Sequence, residues 1–238
     1  MNSWQLAKQL WNVYNKQEKY NTRWLVLFAY LYFLILKRAK YLANHEKNKK
    51  IKRETFRTSI KIKAYLEEHL IDTYLDAYKE ALKICGREDL EVPTHEEARN
   101  VVRETWVGDL NYIERQNRNT QDFLNRIQDI NDSGKSEELK EAELEKALKH
   151  YRYTVYRLTR TESARNINTA SLHAYEKVGI QYVEWVTAED ERVCKICGPR
   201  DRKVYPLQFV PFCPDHPNCR CVVIPVSSEE AMNRWKNL

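Results

Sequence analysis

The chain has 238 residues, enough to bury a real core as one domain or two. Charged residues make up 31% and hydrophobic ones 42%, a balance that excludes a disordered chain and suits a soluble, highly helical protein. The net charge of +6 hides an asymmetry: residues 1–63 carry 15 Lys/Arg against 3 Asp/Glu, and the remainder 25 against 31. A basic segment on a mildly acidic body points to an acidic partner: nucleic acid, an anionic membrane or an acidic protein surface.

Residues 4–20 set Trp4, Leu6, Leu10, Trp11, Val13 and Tyr14 at loose helical spacing. Met1 to Gln9 lack the basic stretch, apolar run and small-residue cleavage site of a secretory leader. Trp24 to Leu36 is an unbroken run of 13 apolar or aromatic residues, closed by Arg23 on one side and Lys37 and Arg38 on the other. A bilayer crossing needs about 20 apolar residues, so this run predicts a buried helix or an assembly contact rather than a membrane insertion. Lys37 to Lys63 carry 11 basic residues against Glu46 and Glu54 alone, with Ile51, Phe56, Ile60 and Ile62 keeping helical spacing. Such a run is either a solvated helix face or a surface for phosphates or acids, and Lys47, Lys49, Lys50, Lys52 and Arg53 are its candidate contacts to double-stranded DNA without sequence preference.

The helical pattern continues through Leu66, Leu70, Ile71, Tyr74, Leu75, Tyr78 and Leu82 and ends near Gly86, with Cys85 on the apolar stripe as core packing. Thr94 and Glu97 form a capping box for a helix running toward Trp106 and stopping at Gly108. Residues 109–130 make a further helical region, and Asn131 to Ser136 is the clearest linker. Ser136 caps a helix carrying Leu139, Leu144, Leu148, Tyr151, Val155 and Leu158. A second helical stretch begins near Thr161 and ends at Gly179, a natural left-handed cap.

After Gly179 the period changes. Tyr182–Thr187 and Cys221–Val226 read as short strands, and pairing them antiparallel brings the intervening ends together. Five of the six cysteines lie between Cys194 and Cys221, and six of the seven prolines between Pro199 and Pro225. Cys194-Lys195-Ile196-Cys197 is followed, 18 residues on, by His216-Pro217-Asn218-Cys219-Arg220-Cys221, the spacing of a tetrahedral Zn(II) site. A disulfide framework would need an oxidising compartment, and a redox Cys-x-x-Cys would open a helix rather than precede a proline-rich loop. A segment with so few apolar residues needs the metal for folding. No phosphate-binding glycine loop, nucleophile elbow or His-Glu-x-x-His helix occurs. The fold class is therefore mainly α: a helical N-terminal and central region, residues 1–134, with a basic N-terminal segment, then a small α+β domain, residues 135–238, built on a zinc-clamped β-hairpin.

Arg160-Thr161-Glu162, the helix through Ala174-Tyr175, Gly179-Ile180, Tyr182-Val183-Glu184-Trp185, Thr187, Asp190, Arg192-Val193-Cys194-Lys195-Ile196-Cys197 and His216-Pro217-Asn218-Cys219-Arg220-Cys221 follow one another in an order that resembles the C-terminal domain of the phage Mu F-like minor head protein family, also called phage head morphogenesis proteins. The resemblance covers roughly residues 137–226. It implies a minor capsid protein of tailed-phage or prophage origin, located in the virion head and in the host cytoplasm during assembly, partnered by the portal and other head proteins. It also implies that the Cys/His positions are a structural metal site. The favoured ligands are Cys194, Cys197, His216 and Cys219, with Cys221 the substitute for the fourth. Where the family commonly has Asp-Gly in the turn after the second cysteine, this chain has Asp201-Arg202, although Arg accepts positive φ poorly. Cys213 stands where the family usually has no cysteine. Arg160 and Glu162 are expected as an ion pair locking helix to hairpin rather than as an active pair.

Three functions compete. The first is a structural head protein, not an enzyme, whose basic helices contact portal, scaffold or packaged DNA. The second is a zinc-containing DNA-binding protein outside a capsid. The third is a metal-dependent hydrolase using the metal or the carboxylates of Glu162, Glu189 and Asp190. A catalytic zinc keeps one open position, whereas this stretch offers more donors than a closed site needs.

Overall fold

A computed structural model describes residues 2–18, 22–32, 44–106, 108–188 and 193–236, with backbone alone at 17, 18, 22–25, 44, 45, 47 and 236. The order of elements is α1 (Ser3–Glu18), α2 (Thr22–Tyr32), α3 (Asn44–Ile84), α4 (His95–Arg103), α5 (Tyr112–Asp132), α6 (Glu137–Lys177), β1 (Tyr182–Val186), β2 (Val204–Pro206), β3 (Val222–Val226) and α7 (Ser228–Lys236). The protein is mainly helical with one small C-terminal sheet, as expected. The chain divides into two compact units, one made of residues 1–18, 69–102 and 160–238, the other of residues 19–68 and 103–159.

The helix ends follow local chemistry. Thr94 Oγ1 accepts from the Glu97 N–H at 3.3 Å while the Glu97 carboxylate accepts from the Thr94 N–H at 2.7 Å, the predicted capping box. Asn111 and Glu114 form a second one at the start of α5. Gly179, at φ 78°, ends α6, and the Ile180 N–H reaches back to the Tyr175 carbonyl at 2.9 Å. Two expectations give way. Helix α4 ends at Arg103, short of Trp106, and α6 is one helix of 41 residues where the sequence suggested a break near Arg160. The break looked real because Thr159, Thr161, Glu162, Ser163, Arg165, Asn166 and Asn168 crowd the middle, yet all seven are buried. Two of them also bond within the helix, Thr159 Oγ1 to the Val155 carbonyl at 2.9 Å and the Asn168 amide to the Ala164 carbonyl at 2.9 Å.

In the first unit the sheet has the order β2-β1-β3, both pairings antiparallel, with Trp185 opposite Val223 and Glu184 opposite both Ile224 and Val204. The predicted hairpin is therefore a three-stranded sheet. Its core brings together Leu10 of α1, Leu70, Ile71 and Tyr74 of α3, Ile167 and Tyr175 of α6, and Val183, Trp185 and Val223 of the sheet, all 2% exposed or less. Glu184, fully buried, accepts from Ser3 at 2.7 Å and Arg234 at 3.0 Å, which ties α1 and α7 to β1. In the second unit α3, α5 and α6 pack Ile51, Ile62, Leu66, Phe123, Ile127, Leu144 and Leu148. Tyr151 stacks on Phe123 with ring centroids 4.6 Å apart and bonds Thr120 at 3.0 Å, which in turn bonds Ser59 at 2.9 Å.

Of the apolar run from Trp24 to Leu36, residues 33–36 and the side chains of 24 and 25 lie outside the described residues. Within α2, Phe28 and Leu31 are buried while Val26, Tyr30 and Tyr32 are exposed, so this helix buries one face rather than its whole surface. Among the described residues no helix is long and apolar enough to cross a membrane.

His69 of α3 faces Ser163 of α6 at 2.9 Å, and burial lowers its pKa from 6.5 to about 4. A histidine held neutral in the folded state contributes stability that is complete above its unfolded pKa and is lost as pH falls from about 6.5 toward 4. His69→Gln should therefore flatten the acid side of the stability curve. Unfolding free energies from urea titrations between pH 7 and 4 should fall less for the variant than for the wild type, by on the order of 2–3 kcal/mol at the acid end.

Candidate metal centre

Pairing Val186 with Val222 makes the residues after β1 leave from where the residues before β3 arrive. The cysteines lie between these two points. Cys194 and Cys197 flank a tight turn in which the Gly198 N–H reaches the Cys194 carbonyl at 2.9 Å and the Cys197 N–H reaches the Cys194 sulfur at 3.3 Å. A second turn carries His216 to Cys219, closed by the Cys219 N–H on the His216 carbonyl at 3.2 Å, with Asn218 at φ 63°. Asparagine accepts that left-handed conformation more readily than most residues.

The two turns converge. The Nε2 atom of His216 lies 3.1 Å from the Cys194 sulfur and 3.3 Å from the Cys197 sulfur, and the Cys197 and Cys219 sulfurs are 3.8 Å apart. All are free thiols. Two groups of donors, each with its atoms within 4.8 Å of one another, share Cys197: Cys194, Cys197 and His216 form one, Cys197, Cys219 and Cys221 the other. Either group could hold a metal ion. The five residues singled out by spacing thus stand together, and both Cys219 and Cys221 reach the shared cysteine. Cys213 joins them from the proline-rich loop, buried, its thiol directed at the Cys221 carbonyl at 3.3 Å. Cys85 lies apart at the end of α3, where burial pushes its thiol up to about 11.

The electrostatics of this cluster are lopsided. Hydrogen bonds from Cys213 and Cys221 hold the Cys219 thiol well below its ordinary range, while burial pushes Cys197 and Cys213 up. Cys221 is raised chiefly by its hydrogen bond to Cys219 and then by burial. His216 is lifted above its ordinary value against the effect of burial, by the Pro217 carbonyl and the neighbouring sulfurs. Cys194 is lowered as well, against the effect of burial, by the backbone N–H groups of Cys197 and Ile196, so the cluster mixes lowered and raised thiols.

Polar side chains from the helices hold the loop ends. Thr161 of α6 accepts the Asn218 N–H at 3.1 Å, and the Trp11 indole of α1 donates to the Arg220 carbonyl at 2.9 Å. Asn168 donates to the Cys221 carbonyl and accepts the Val223 N–H, both at 3.0 Å. Sequence reasoning missed all three residues. Trp11 reads only as part of an apolar helical stripe, Thr161 only as part of the Arg160-Thr161-Glu162 motif, and Asn168 as a polar residue inside a helical stretch, which reads as a solvent face. Glu162 pairs with Arg165 at 3.7 Å, Arg165 caps the carbonyls of Val101 and Val102, and Arg160 donates to the Tyr14 hydroxyl at 2.7 Å. Glu189 and Asp190, the other carboxylates of the hydrolase reading, lie outside the described residues. Of the basic candidates, Lys49, Lys52 and Arg53 are exposed on α3 and Lys50 is half-buried, while the side chain of Lys47 lies outside the described residues.

Residues 121–224 match the family described as Phage Mu protein F like protein. The match begins within α5, earlier than the sequence resemblance suggested, and ends in β3, so it takes in every cysteine of the cluster. No curated protein and no solved structure matches the chain.

Arg202 occupies the turn position where the resemblance expected glycine, and it does so at φ 62°. Its guanidinium comes 3.5 Å from Glu184, a carboxylate already served by Arg234 and Ser3. Left-handed backbone costs an ordinary residue about 1–2 kcal/mol, and a partly exposed ion pair returns less than about 1 kcal/mol. Arg202→Gly should therefore leave metal content unchanged and raise thermal stability by up to about 1 kcal/mol, read from melting curves.

Proposed function

We propose that this chain is a minor head protein of a tailed phage or prophage, a structural component near the portal whose C-terminal domain, residues 135–238, is clamped by one zinc ion. The observation that carries the reading is the coincidence of two independent findings. The family match spans residues 121–224, and within that span five Cys/His donors from two distant turns meet in one cluster, Cys197, Cys219 and Cys221 buried and Cys194 and His216 half-buried. The family's role in head morphogenesis supplies the biological setting, with other head proteins as partners and the virion as location.

The donor set suits zinc. Tetrahedral zinc, with Zn–S of about 2.3 Å and Zn–N of about 2.0–2.1 Å, separates two sulfurs by roughly 3.8 Å and sulfur from nitrogen by roughly 3.5 Å. The observed 3.8 Å between Cys197 and Cys219 meets the first value, and the His216 distances of 3.1 and 3.3 Å fall slightly inside the second. Cys194, Cys197, His216 and Cys219 are the favoured ligands, and Cys221 is the alternative fourth. A structural role agrees with the burial of the sulfurs: a catalytic zinc keeps a position open to water, whereas Cys197, Cys219 and Cys221 are 1%, 2% and 5% exposed. The ion would neutralise the thiolates that the cluster otherwise forces apart in protonation. The basic segment of residues 1–63 would meet portal or packaged DNA.

Purified protein should hold close to one zinc per chain by elemental analysis. Cys194→Ser or Cys197→Ser should lose the ion and expose the C-terminal domain to proteolysis, whereas Cys85→Ser should do neither. A metal-free protein that is natively folded under reducing conditions would end the zinc reading. The head assignment stands or falls separately, on whether mass spectrometry of purified particles finds the chain in them.

A further inference from the structure

Helix α3 is fixed in rotation where it crosses the second unit. Lys52 donates to Gln128 at 2.6 Å, Ser59 bonds Thr120 at 2.9 Å, Lys63 donates to Asn117 at 2.9 Å, and Asn48 meets Asn131, so one side of α3 is tied to α5 along four helical turns. Ile51, Thr55, Thr58, Ser59 and Ile62 fill that side and are buried. The opposite side is thereby committed to the outside. Phe56 and Ile60 lie there, one turn apart, 59% and 49% exposed. At 100° per residue Ile60 falls near the middle of the outward face and Phe56 on the side of it nearer α5, with Lys49 between them on the wheel and Arg53 and Arg57 beyond Ile60, all exposed. Glu54 pairs with both arginines, at 3.4 and 3.0 Å, from the side of the helix away from Phe56.

We propose, resting on the head-protein reading above, that this face docks onto an acidic protein surface with an apolar recess, on another component of the head. The charges alone do not choose between phosphates and carboxylates. The apolar pair does. A duplex backbone recognised by counterion release offers nothing to Phe56 or Ile60, and two solvated apolar side chains in the middle of a phosphate-binding face would stay wet. A protein interface is built the other way, with a desolvated apolar or aromatic centre inside a polar rim, which is the arrangement α3 presents. The basic rim fixes the sign of the partner, because juxtaposed like charges would reject a basic surface. Phe56 and Ile60 are the anchors, and Lys49, Arg53 and Arg57 set orientation and association rate.

Two double variants of the full chain separate the contributions: Phe56→Ser with Ile60→Ser removes the anchors and keeps every charge, while Lys49→Gln with Arg53→Gln removes charge and keeps the anchors. All four positions are exposed, and melting curves with metal content confirm that the fold persists. Incorporation is read by quantitative mass spectrometry of heads from cells lacking the packaging terminase, so that the particles contain no DNA. The anchor variant should fall at least about tenfold below the wild type, as loss of a central interface anchor does. The charge variant should fall less, and its deficit should deepen in high-salt particle washes. The proposal is overturned if the anchor variant enters empty heads at the wild-type level. It is overturned equally if the wild type enters only DNA-filled heads and retards unrelated duplexes in an anchor-independent way, or if the anchor variant loses only its flotation with anionic phospholipid vesicles. A wild-type chain absent from every head would instead defeat the head-protein reading itself.

Discussion

The pairing of β1 with β3 has to be held against the entropy of the 35 residues between Val186 and Val222, and that closure shapes the whole C-terminal part. A loop of this length costs several kcal/mol to close on its own. Strand pairing over five residues supplies part of what is needed, and the rest comes from both sides of the sheet. Asn168 presents its amide to the backbone of Cys221 and Val223, Thr161 grips the second cysteine turn, and Trp11 grips the next carbonyl along. The sulfurs then sit where the loop's two ends meet, and a cation there would join the two turns directly. Helix and sheet are coupled because each holds the same few backbone atoms between His216 and Val223, and an ion held by the sulfurs would act on the same stretch.

That coupling explains which features were readable beforehand. Ligand chemistry is local: Cys194 with Cys197, and His216 with Cys219, are spacings set by turns of three or four residues, so the donors could be named from sequence. The strands at Tyr182 and Val222 were readable for the same reason, being short runs of β-branched and aromatic residues. The helix behind them was misjudged. Seven polar residues from Thr159 to Asn168 suggested an interruption in α6, because polarity in a helix ordinarily marks solvent. Here the polarity faces inward: Thr161 and Asn168 serve the loop backbone, Ser163 meets His69 and Arg165 caps Val101 and Val102, and nothing in the sequence distinguishes an asparagine that serves water from one that serves a strand. The tie between Cys219 and Cys221 was likewise left standing, since both thiols stay near Cys197 when the turn closes. β2 escaped notice because three residues ending in Pro206 carry no periodicity, and proline belongs at an edge. Cys213 was visible as a cysteine, but its place in the cluster depends on the course of the proline-rich loop.

Helix α3 shows a different limit. Its apolar stripe from Leu66 to Leu82 announces a buried helix, and its basic stretch from Lys49 to Lys63 announces a surface. In the basic half, the buried side is made of Thr55, Thr58 and Ser59 as well as Ile51 and Ile62, whereas Phe56 and Ile60 turn outward. A binary reading of hydrophobicity finds apolar residues on both sides and cannot choose between them. The Ser59 hydroxyl is answered from α5 by Thr120, which bonds Tyr151 of α6, and Tyr151 accepts from Gln116 at 3.1 Å. Such a core trades hydrophobic burial for directional bonds that fix the rotation of each helix.

The same trade bears on the choice between a structural and a chemical role for the cysteine cluster. Reactive centres keep a nucleophile or an open metal position exposed to substrate, with a general base in reach. In this cluster the sulfurs of Cys197, Cys219 and Cys221 are covered, the carboxylate of Glu162 is committed to Arg165, and the nearby hydroxyl of Thr161 is already engaged by the Asn218 N–H. More thiols converge than four-coordinate zinc can take. A surplus of soft donors with a covered centre favours a site that holds an ion permanently over one that exchanges a substrate. Cys213 and whichever of Cys219 and Cys221 is left over would then act as hydrogen-bonding neighbours to the ligating sulfurs, and such neighbours set how firmly a ligand is oriented and how readily the ion leaves. A cluster so held would make a loop-rich segment rigid enough to serve as a fixed part in the proposed assembly.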